Sequence, residues 1–458
     1  MEKTVHFETL GCRLNHDESE GAARAFVLNG FNADMEEVTA RTSLSEQVIL
    51  SVINTCTVTG KAEQKARRII RLLHEKFPAA PIIVTGCYAE LDSDEIKNLC
   101  PDRIVIIPGP KKYLLSLLAH EMSHGGLLDA WDGRFDFNSL THFIDSELSK
   151  THNGLNPFSL FTPVFEKHNR GSIKIQDGCN CFCSYCMIPY ARGRCRSKPL
   201  DVLESEVKML AEVGRKEIVL TGINIAFYGA EYGLRLVDAV ELCCKTDGIE
   251  RVRLGSIEPE MVSDDDLQRL SVLPQFCPQF HLSLQSGSAA TLKRMNRRYT
   301  PDEYAAIAGK IREYFPDAAF TTDIMVGFPE ETDEEFSESM AFVEKIGFSK
   351  IHVFQYSPRK GTPAAKMKQI PENIKHERAD KMKALGDKLS MRYMKNLIGK
   401  TVPVLFELEK SADFHQGHAP DHTLIKISRK NQKKSLRNCI FYVTIERAAD
   451  DCCFGKII

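Results

Sequence analysis

The sequence has almost no tryptophan, almost no net charge and no long apolar run. Trp occurs once in 458 residues, and 60 Lys and Arg face 62 Asp and Glu, for a formal net charge of −2. This balance excludes a strongly basic protein that coats nucleic acid, although it leaves room for a local basic patch. No apolar stretch approaches the roughly 20 residues that cross a membrane, and the first residues do not resemble a signal peptide. We therefore expect a cytoplasmic location and no membrane association.

The composition is otherwise that of a globular protein, apart from its cysteines. Apolar residues make up 43% and charged residues 27% of the chain, which excludes a disordered, collagenous or coiled-coil protein. The length predicts roughly three domains. The 15 cysteines are odd in number and too sparse for a disulfide scaffold. In a reducing cytosol they indicate metal or catalytic sites instead.

Residues 1–120 are predicted to form a parallel α/β domain, because short β-branched runs alternate with helical patterns. Cys12, Cys56 and Cys87 each follow a predicted strand, at the sheet edge where such domains bind ligands. The three cysteines are therefore expected to meet at one point, although each taken alone could be a buried apolar residue. The predicted strands cover 5–10, 47–53, 81–85 and 103–107, and the predicted helices cover 17–29, 61–77 and 110–119.

Residues 121–168, rich in His, Asn, Ser and Thr, are predicted to be a linker without regular structure. Residues 169–396 alternate strand and helix six times, which predicts a partial (β/α)6 barrel with its chemistry at the carboxyl ends of the strands. Capping boxes predict helix starts at Thr300 and Thr332. The six strands are predicted near 171–175, 216–220, 250–254, 279–284, 319–326 and 349–354.

Residues 397–458 are predicted to form a small all-β barrel, a common platform for oligonucleotides. This stretch has 10 Lys and Arg against 7 Asp and Glu. The basic segment 61–76 adds weaker support for RNA binding, because charged helices are commonly just solvated. The candidate RNA-binding residues are Arg429, Lys430, Lys433, Lys434 and Arg437.

The strongest chemical signal is the run from Cys179 through Cys183 to Cys186, directly after the first barrel strand. This C-x3-C-x2-C spacing supplies three thiolates to a cubane iron–sulfur cluster that needs four ligands. The open iron could then chelate S-adenosylmethionine (SAM). The alternative is a closed zinc site completed by Cys181 or Cys195, but zinc ligands are typically paired as C-x2-C.

At these residues the chain resembles the radical SAM methylthiotransferases. The resemblance covers essentially the whole chain, with an N-terminal three-cysteine domain, a radical SAM core and a C-terminal TRAM domain. Cys181 is a departure, because relatives commonly carry Asn or Lys there. The matching segments are TLGCRLNHDES, NTCTVT, TGCYAE, GCNCFCSYCMIPYARGR, HLSLQSGS, TTDIMVGFPEET and FQYSPRKGTPAAKM.

The resemblance implies two [4Fe–4S] clusters and SAM as cofactors. Cys179, Cys183 and Cys186 would bind the cluster that cleaves SAM, while the N-terminal triplet would bind an auxiliary cluster that carries sulfur. One SAM would methylate that sulfur, and a second would yield a deoxyadenosyl radical that activates an aromatic carbon. A radical is needed because no side-chain base removes such a proton at neutral pH. We therefore expect no catalytic residue beyond the cluster ligands.

Polar residues at the predicted strand ends are candidates for holding SAM, with a role in satisfying backbone groups at turns as the alternative. Arg192, Arg194, Arg196 and Lys198 are interpreted as contacts to RNA phosphate, as residues that order the loop, or as a solvated charge run. The SAM-binding candidates are Tyr185, Gly222, Asn224, Ser256, Glu258, Gln285 and Asp323, with Ser283 beside them.

The family's substrates are modified adenosines at position 37 in the anticodon loop of tRNA, or an aspartate of a ribosomal protein. NTCTVT and GCRLNHDES resemble the subgroup that acts on N6-threonylcarbamoyladenosine, rather than the isopentenyl subgroup with NTCSIR and GCQMN. That substrate carries a carboxylate, for which Arg13 is a candidate cation. The resemblance also implies an electron donor such as flavodoxin or ferredoxin. A zinc-containing RNA-binding protein is the remote alternative.

Overall fold

A computed structural model describes residues 3–57, 59–124, 126–128, 136–151, 156–164, 169–259, 262–408, 411–431 and 434–458. No helix within these ranges is long and apolar enough to cross a membrane.

The N-terminal domain is built on a five-stranded parallel sheet with strand order β2-β1-β3-β4-β5. Strand β3 is buried along its whole length, because Leu50 packs into the core on one face of the sheet and Ile53 into the core on the other. The predicted parallel α/β sheet is confirmed, and the three-residue β2 is an addition that the sequence did not reveal. The strands are β1 Thr4–Thr9, β2 Asn32–Asp34, β3 Val48–Thr55, β4 Ile82–Gly86 and β5 Ile104–Ile106.

Six helices accompany this sheet, and the last of them corrects the linker prediction. Residues 137–149 form a helix whose N-terminus is capped by Asp136, and its Leu140 and Ile144 pack into the N-terminal core. The prediction that residues 121–168 form a linker without regular structure was therefore wrong. Apolar residues at helical spacing lie among the polar residues of this segment, and their burial stabilises the helix. The helices are α1 Arg13–Leu28, α2 Gly60–Lys76, α3 Cys87–Leu91, α4 Ser93–Lys97, α5 Leu114–His124 and α6 Phe137–Ser149.

The central region is a curved wall of six parallel strands, as predicted. Its third strand is interrupted at Gly255, so that β10 pairs with β9 on one side while β11 pairs with β12 on the other. The two sheets, β10-β9-β6 and β11-β12-β13-β14, thus join into a partial barrel that is open between β6 and β14. A short antiparallel pair, β7 and β8, follows β6. The strands are β6 Gly171–Lys174, β7 Gln176–Asp177, β8 Arg196–Ser197, β9 Glu217–Thr221, β10 Arg251–Leu254, β11 Ser256–Ile257, β12 Gln279–Leu282, β13 Ala319–Val326 and β14 Lys350–Gln355.

Helices accompany this wall, and both predicted capping boxes are confirmed. The hydroxyls of Thr300 and Thr332 accept hydrogen bonds from the backbone amides of Glu303 and Glu335, each at 3.2 Å. The helices are α7 Ile188–Arg192, α8 Leu200–Glu212, α9 Leu236–Cys244, α10 Asp264–Ser271, α11 Ala289–Arg294, α12 Pro301–Tyr314, α13 Asp333–Ile346 and α14 Glu372–Lys395.

The C-terminal region is a closed five-stranded barrel with strand order β15-β16-β17-β19-β18, which confirms the all-β prediction. It docks on the amino ends of the central strands. Arg251 donates hydrogen bonds to the carbonyls of His418 and Pro403 at 2.9 and 2.7 Å, and Arg253 donates to that of Pro420 at 2.8 Å. The strands are β15 Thr401–Phe406, β16 Phe414–His418, β17 Leu424–Ser428, β18 Ile440–Ala449 and β19 Cys452–Ile457.

Candidate active site

The central cysteine triplet lies in a loop, residues 178–187, that we call the cysteine loop. Each of the three triplet sulfurs accepts a hydrogen bond. Cys179 accepts from the backbone amide of Cys181 at 3.4 Å, and Cys186 accepts from that of Ile188 at 3.4 Å. Cys183 accepts from Nη1 of Arg297 at 3.3 Å. Donors of this kind stabilise sulfur in its thiolate form. The loop is therefore suited to present three thiolate ligands.

The thiols of the cysteine loop differ in how readily they ionise. Hydrogen bonding with the Cys181 thiol lowers the pKa of Cys179 to about 6, against the opposing effect of burial. Burial raises the pKa of Cys186 to about 12 and also raises that of Cys183. Since only thiolates bind metal strongly, a metal bound by Cys183 and Cys186 would have to displace their protons.

The N-terminal triplet lies where β1, β3 and β4 end, as predicted. The side-chain amide of Asn15 donates hydrogen bonds to the carbonyls of Leu10 and Thr55 at 2.8 and 3.1 Å, and so ties the ends of β1 and β3 together. The Thr55 hydroxyl in turn donates to the carbonyl of Thr85 at 2.5 Å, at the end of β4. Cys12, Cys56 and Cys87 each come one or two residues after these tied positions.

Gly11 permits the backbone that precedes Cys12 to approach Cys56 closely. It has a φ of +107°, and a Cβ placed there would lie 2.7 Å from the sulfur of Cys56. Cys56 and Cys87 are 3% and 5% exposed, whereas Cys12 is exposed. A shielded pair with one exposed member suits a cluster whose open iron faces a substrate.

We tested the two triplets against a single-ion site. Among the described residues, no group of three Cys, His, Asp or Glu side chains could hold one metal ion. Each thiolate of a cubane cluster binds a different iron, so its ligands need not converge on one centre. Three thiols in each triplet fit a cluster that keeps one open iron, and the central site holds Cys181 as an additional thiol beside Cys179. The Cys181 sulfur accepts a hydrogen bond from the Asn224 amide at 3.6 Å, and the Cys195 thiol donates to the carbonyl of Gly178 at 3.7 Å.

A group of buried charges joins the N-terminal domain to the central wall between the two triplets. Glu18 on α1 accepts hydrogen bonds from Lys112, from Lys174 at 2.6 Å and from Arg192 at 3.0 Å. Arg192 also donates to Asp177 at 3.1 Å, and none of these side chains is more than 7% exposed. We call Glu18, Lys112, Lys174, Asp177 and Arg192 the buried charge cluster.

Opposite charges keep this cluster ionised in spite of its burial. Burial opposes ionisation of Glu18, but Arg192, Lys112 and Lys174 together hold its pKa well below the usual range. Burial likewise opposes the charge on Arg192, yet Glu18, Asp177 and the thiols of Cys87 and Cys12 raise its pKa well above the ordinary value. Arg192 thus lies within electrostatic reach of the N-terminal triplet while it sits six residues beyond Cys186.

Two predicted SAM-binding residues lie against the cysteine loop. A Cβ at Gly222 would lie 2.8 Å from the carbonyl oxygen of Gln176, so this backbone approaches the start of the loop closely. The backbone amide of Asn224 donates to Oε1 of Gln176 at 2.7 Å, and its side-chain amide contacts Cys181. The Oδ1 atom of Asn224 is buried and accepts no hydrogen bond from the described residues. An acceptor left open beside the loop fits a bound SAM.

Glu258 is brought to the same loop through Arg297, a residue that the sequence analysis missed. Arg297 donates hydrogen bonds to Glu258 and to the Cys183 sulfur, and therefore connects a predicted SAM-binding carboxylate to a cluster ligand. In the sequence, Arg297 is a basic residue of RMNRRYT, which lies between two segments of family resemblance. In the structure its side chain is almost fully buried. Ser256 is exposed.

Tyr185 belongs to the cysteine loop itself, whereas Gln285 follows β12 and Asp323 lies in β13. Tyr185 is half-buried with its ring 6.2 Å from that of Phe328, edge to face, and burial raises its pKa well above the usual value. Gln285 has a φ of +65°, and its backbone amide donates to the carbonyl of Asp323 at 2.9 Å. The Asp323 carboxylate lies 3.5 Å from Nε2 of His281.

The four basic residues after the cysteine loop differ in burial and pairing. Arg196 is 33% exposed and donates a hydrogen bond to Asp177 at 3.2 Å. Arg192 and Lys198 are buried and paired, Arg192 with Glu18 and Lys198 with Glu206, so these two order the loop and its surroundings. Arg194 is exposed. Arg13, the candidate for a carboxylate contact, donates through Nε to Asp17 at 2.9 Å, and its side chain is 40% exposed.

The predicted RNA-binding residues that the structure describes lie on the C-terminal barrel, which docks on the amino ends of the central strands, whereas the cysteine loop follows a carboxyl end. Nε of Arg437 donates to the Asn169 side chain at 2.9 Å, at the amino end of β6, whereas Cys179 follows the carboxyl end of that strand. Arg429 donates to the carbonyl of Ser411 at 3.3 Å, Lys430 and Lys434 are exposed, and Lys433 lies outside the described residues. The structure therefore does not gather these side chains around the cysteines.

Comparisons with known proteins match this architecture. The radical SAM superfamily model matches residues 173–343, and the model for uncharacterized protein family UPF0004 matches residues 4–107. The chain is 38% identical to the threonylcarbamoyladenosine tRNA methylthiotransferase MtaB of Thermotoga maritima, over 88% of this chain and 87% of that protein. It is 32% identical to a tRNA-2-methylthio-N(6)-dimethylallyladenosine synthase of Clostridium novyi, over 88% and 86%.

A solved structure supports the same fold at lower identity. The radical S-adenosylmethionine methyltransferase TsrM of Kitasatospora setae, solved with cobalamin and a [4Fe–4S] cluster, superimposes with a TM-score of 0.54 at 15% identity. The match covers 80% of this chain and 77% of that one. Fold and site thus define a SAM-dependent enzyme that transfers sulfur-containing groups. The chain belongs to the radical SAM methylthiotransferase family, and its cofactors are SAM and two [4Fe–4S] clusters.

Proposed function

We propose that this protein adds a methylthio group to C2 of N6-threonylcarbamoyladenosine at position 37 of tRNA, in the cytoplasm. The observation that carries the proposal is a pair of cysteine triplets whose following helices, α1 and α7, are joined by the ion pair of Glu18 with Arg192, in a chain 38% and 35% identical to two threonylcarbamoyladenosine tRNA methylthiotransferases. A flavodoxin or a ferredoxin would supply electrons.

In this proposal the six triplet cysteines hold the two clusters, and a bound cluster supplies the electron that cleaves SAM. Asn224 and Glu258 orient SAM beside the cysteine loop, with Arg297 holding Glu258 in place. The remaining SAM-binding candidates are Tyr185, Gly222, Ser256, Gln285 and Asp323.

Nucleoside mass spectrometry of tRNA from a deletion strain carrying this chain tests the substrate. The proposal requires the 2-methylthio derivative of N6-threonylcarbamoyladenosine to return. Return of the methylthio derivative of isopentenyladenosine would assign the second known tRNA substrate. Unchanged methylthio-adenosines would direct attention to a ribosomal-protein aspartate.

Cysteine variants test the division of labour between the two triplets. Cys179→Ser should abolish SAM cleavage, whereas Cys56→Ser should retain cleavage and lose sulfur insertion. Iron analysis after anaerobic reconstitution should show near eight irons per chain, as two [4Fe–4S] clusters require. One zinc and no iron would refute the enzyme, and product from Cys56→Ser would refute the auxiliary site.

Two cationic surfaces are proposed to contact the tRNA. Arg13, exposed beside Cys12, would bind the threonylcarbamoyl carboxylate. Arg13→Met should therefore raise KM for that substrate, with a smaller effect on kcat. The basic residues of the C-terminal barrel, 429–437, would bind phosphates, and neutralising them should reduce both affinity and its dependence on salt.

A further inference from the structure

Two aromatic side chains stand exposed at the cysteine loop, and the proposed chemistry does not use them. Phe182 is 51% exposed and Tyr190 is 57% exposed. Their ring centroids are 5.9 Å apart with an interplanar angle of 78°, which is an edge-to-face pair. Large apolar side chains of this kind add little to stability when half of their surface remains in water.

The backbone conformation at Phe182 indicates that its exposed ring has a role. Its φ of +48° lies in the left-handed region, which a bulky residue rarely adopts. Asn296 stabilises the conformation by donating from its side-chain amide to the Phe182 carbonyl at 3.0 Å. Glycine would adopt this backbone without strain, so the ring itself must be what the position provides.

The two rings belong to neighbouring segments, the cysteine loop and the helix α7 that follows it. Phe182 immediately precedes Cys183, whereas Tyr190 lies on α7 together with Arg192, which reaches toward Cys12 and Cys87. A second observation places α7 beside the N-terminal triplet. A Cβ at Gly109 would lie 3.5 Å from the Ala191 carbonyl oxygen and 3.2 Å from that of Gly86, the residue before Cys87.

Exposed cations flank the aromatic pair. The segment that supports the cysteine loop places Lys293 and Arg298 on the surface, on either side of Asn296. The backbone of this segment also contacts the loop, because the amide of Ser184 donates to the Met295 carbonyl at 3.0 Å. Arg194, exposed four residues after Tyr190, adds positive charge on the other side. Aromatic rings for bases and nearby cations for phosphates are the usual combination at sites that bind single-stranded nucleic acid.

We propose that Phe182 and Tyr190 form a stacking platform for a nucleobase next to the one that is modified, in a single-stranded RNA loop. This inference rests on the proposed tRNA substrate. The target base must leave the stack of its loop to reach a buried centre, and a platform beside the entrance would hold a neighbour that has lost its stacking partner.

The test measures binding of a labelled anticodon stem-loop RNA, with N6-threonylcarbamoyladenosine at position 37, to the reconstituted full chain. Phe182→Leu and Tyr190→Leu keep an apolar side chain but remove the ring, while Phe182→Tyr and Tyr190→Phe are the matched controls. Each Leu variant should weaken binding by roughly five- to a hundredfold, the range measured for loss of one base–aromatic stack. The controls should bind like the original protein.

A second RNA, abasic next to position 37, identifies the stacking partner. The original chain should bind this RNA more weakly than the intact RNA, whereas the Leu variants should distinguish the two poorly. Iron content and SAM cleavage driven by dithionite should be unchanged in Tyr190→Leu, whose position lies outside the cysteine loop.

The possible results separate the platform from the proposed function. If the original chain binds RNA and all Leu variants bind equally well, the platform is refuted while the tRNA substrate stands. If the original chain does not bind the RNA at all, the proposed function fails first. If only flavodoxin-driven SAM cleavage falls in the variants, the surface belongs to a protein electron donor and the platform is again refuted.

Discussion

Replacing Glu18 with glutamine removes one negative charge from the buried charge cluster without changing its size. The cluster holds the cations Lys112, Lys174 and Arg192 against Glu18 and Asp177, so its formal charge is 3 − 2 = +1. In Glu18→Gln this becomes 3 − 1 = +2 in a region where no member is more than 7% exposed. Removing one partner from a buried ion pair costs about 3–5 kcal/mol, because the remaining charge stays desolvated.

That cost should fall on the joint between the N-terminal domain and the central wall. Glu18 lies on α1, whereas Lys174 and Arg192 belong to the other domain. If the joint opens locally, a loss of 3–5 kcal/mol raises amide hydrogen exchange in α1 and α7 by roughly 100- to 4000-fold. Hydrogen exchange measured by mass spectrometry on the full chain gives this readout directly.

Two variants sharpen the measurement. Glu204→Gln removes a carboxylate from a surface pair with Lys208, whose side chains are 49% and 59% exposed, and should cost no more than about 0.5 kcal/mol. Lys112→Met added to Glu18→Gln restores the formal charge to 2 − 1 = +1 and should slow exchange again. If Glu18→Gln exchanges no faster than Glu204→Gln, the joint does not depend on this carboxylate and the electrostatic reasoning is wrong.

Three further predictions concern pH, SAM and the C-terminal barrel. Cations hold the pKa values of Glu18 and Asp177 below their usual range. The two carboxylates therefore contribute their full stability above the unfolded pKa values of about 4, and this contribution is lost as the pH falls through the lower folded pKa values. Opening of the joint near pH 6, seen by hydrogen exchange, would contradict this prediction. Arg297→Gln should weaken SAM binding about tenfold or more, because Glu258 and Cys183 both lose a charged hydrogen-bond donor. Arg297→Lys should recover part of the affinity, as measured by equilibrium dialysis. Equal SAM affinities of the original chain and both variants would exclude a role for Arg297 in positioning Glu258. Arg253→Gln should weaken the docking of the C-terminal barrel on the central wall by about 3 kcal/mol, because Glu217 loses a buried partner and the carbonyl of Pro420 loses its hydrogen-bond donor. Limited proteolysis between the central region and the barrel should become faster. An unchanged cleavage pattern would mean that other contacts hold the barrel in place.

Local patterns in the sequence determined the elements of this protein and its chemistry. The β-branched runs predicted the sheet strands, and the capping boxes predicted the starts of α12 and α13, since each depends on residues only a few positions apart. The cysteine spacing and its family resemblance predicted the radical SAM chemistry. The placement of Cys12, Cys56 and Cys87 after the ends of β1, β3 and β4 also followed from the sequence, because the carboxyl ends of parallel strands lie along one edge of a sheet.

Only the tertiary structure decided which distant residues cooperate. Arg192 was one of several basic residues with three open interpretations, and its role became clear only when Glu18, 174 positions away, was found beside it. Arg297 lies 114 positions from the Cys183 sulfur to which it donates. The barrel was predicted from its alternating strands, but its docking on the amino ends of β9 and β10 depends on Arg251 and Arg253, whose charge gave no sign of burial. Sequence spacing records neighbours along the chain, whereas burial and pairing of charges depend on how domains pack. Here that packing pairs Glu18, on the helix that follows Cys12, with Arg192, on the helix that follows Cys186.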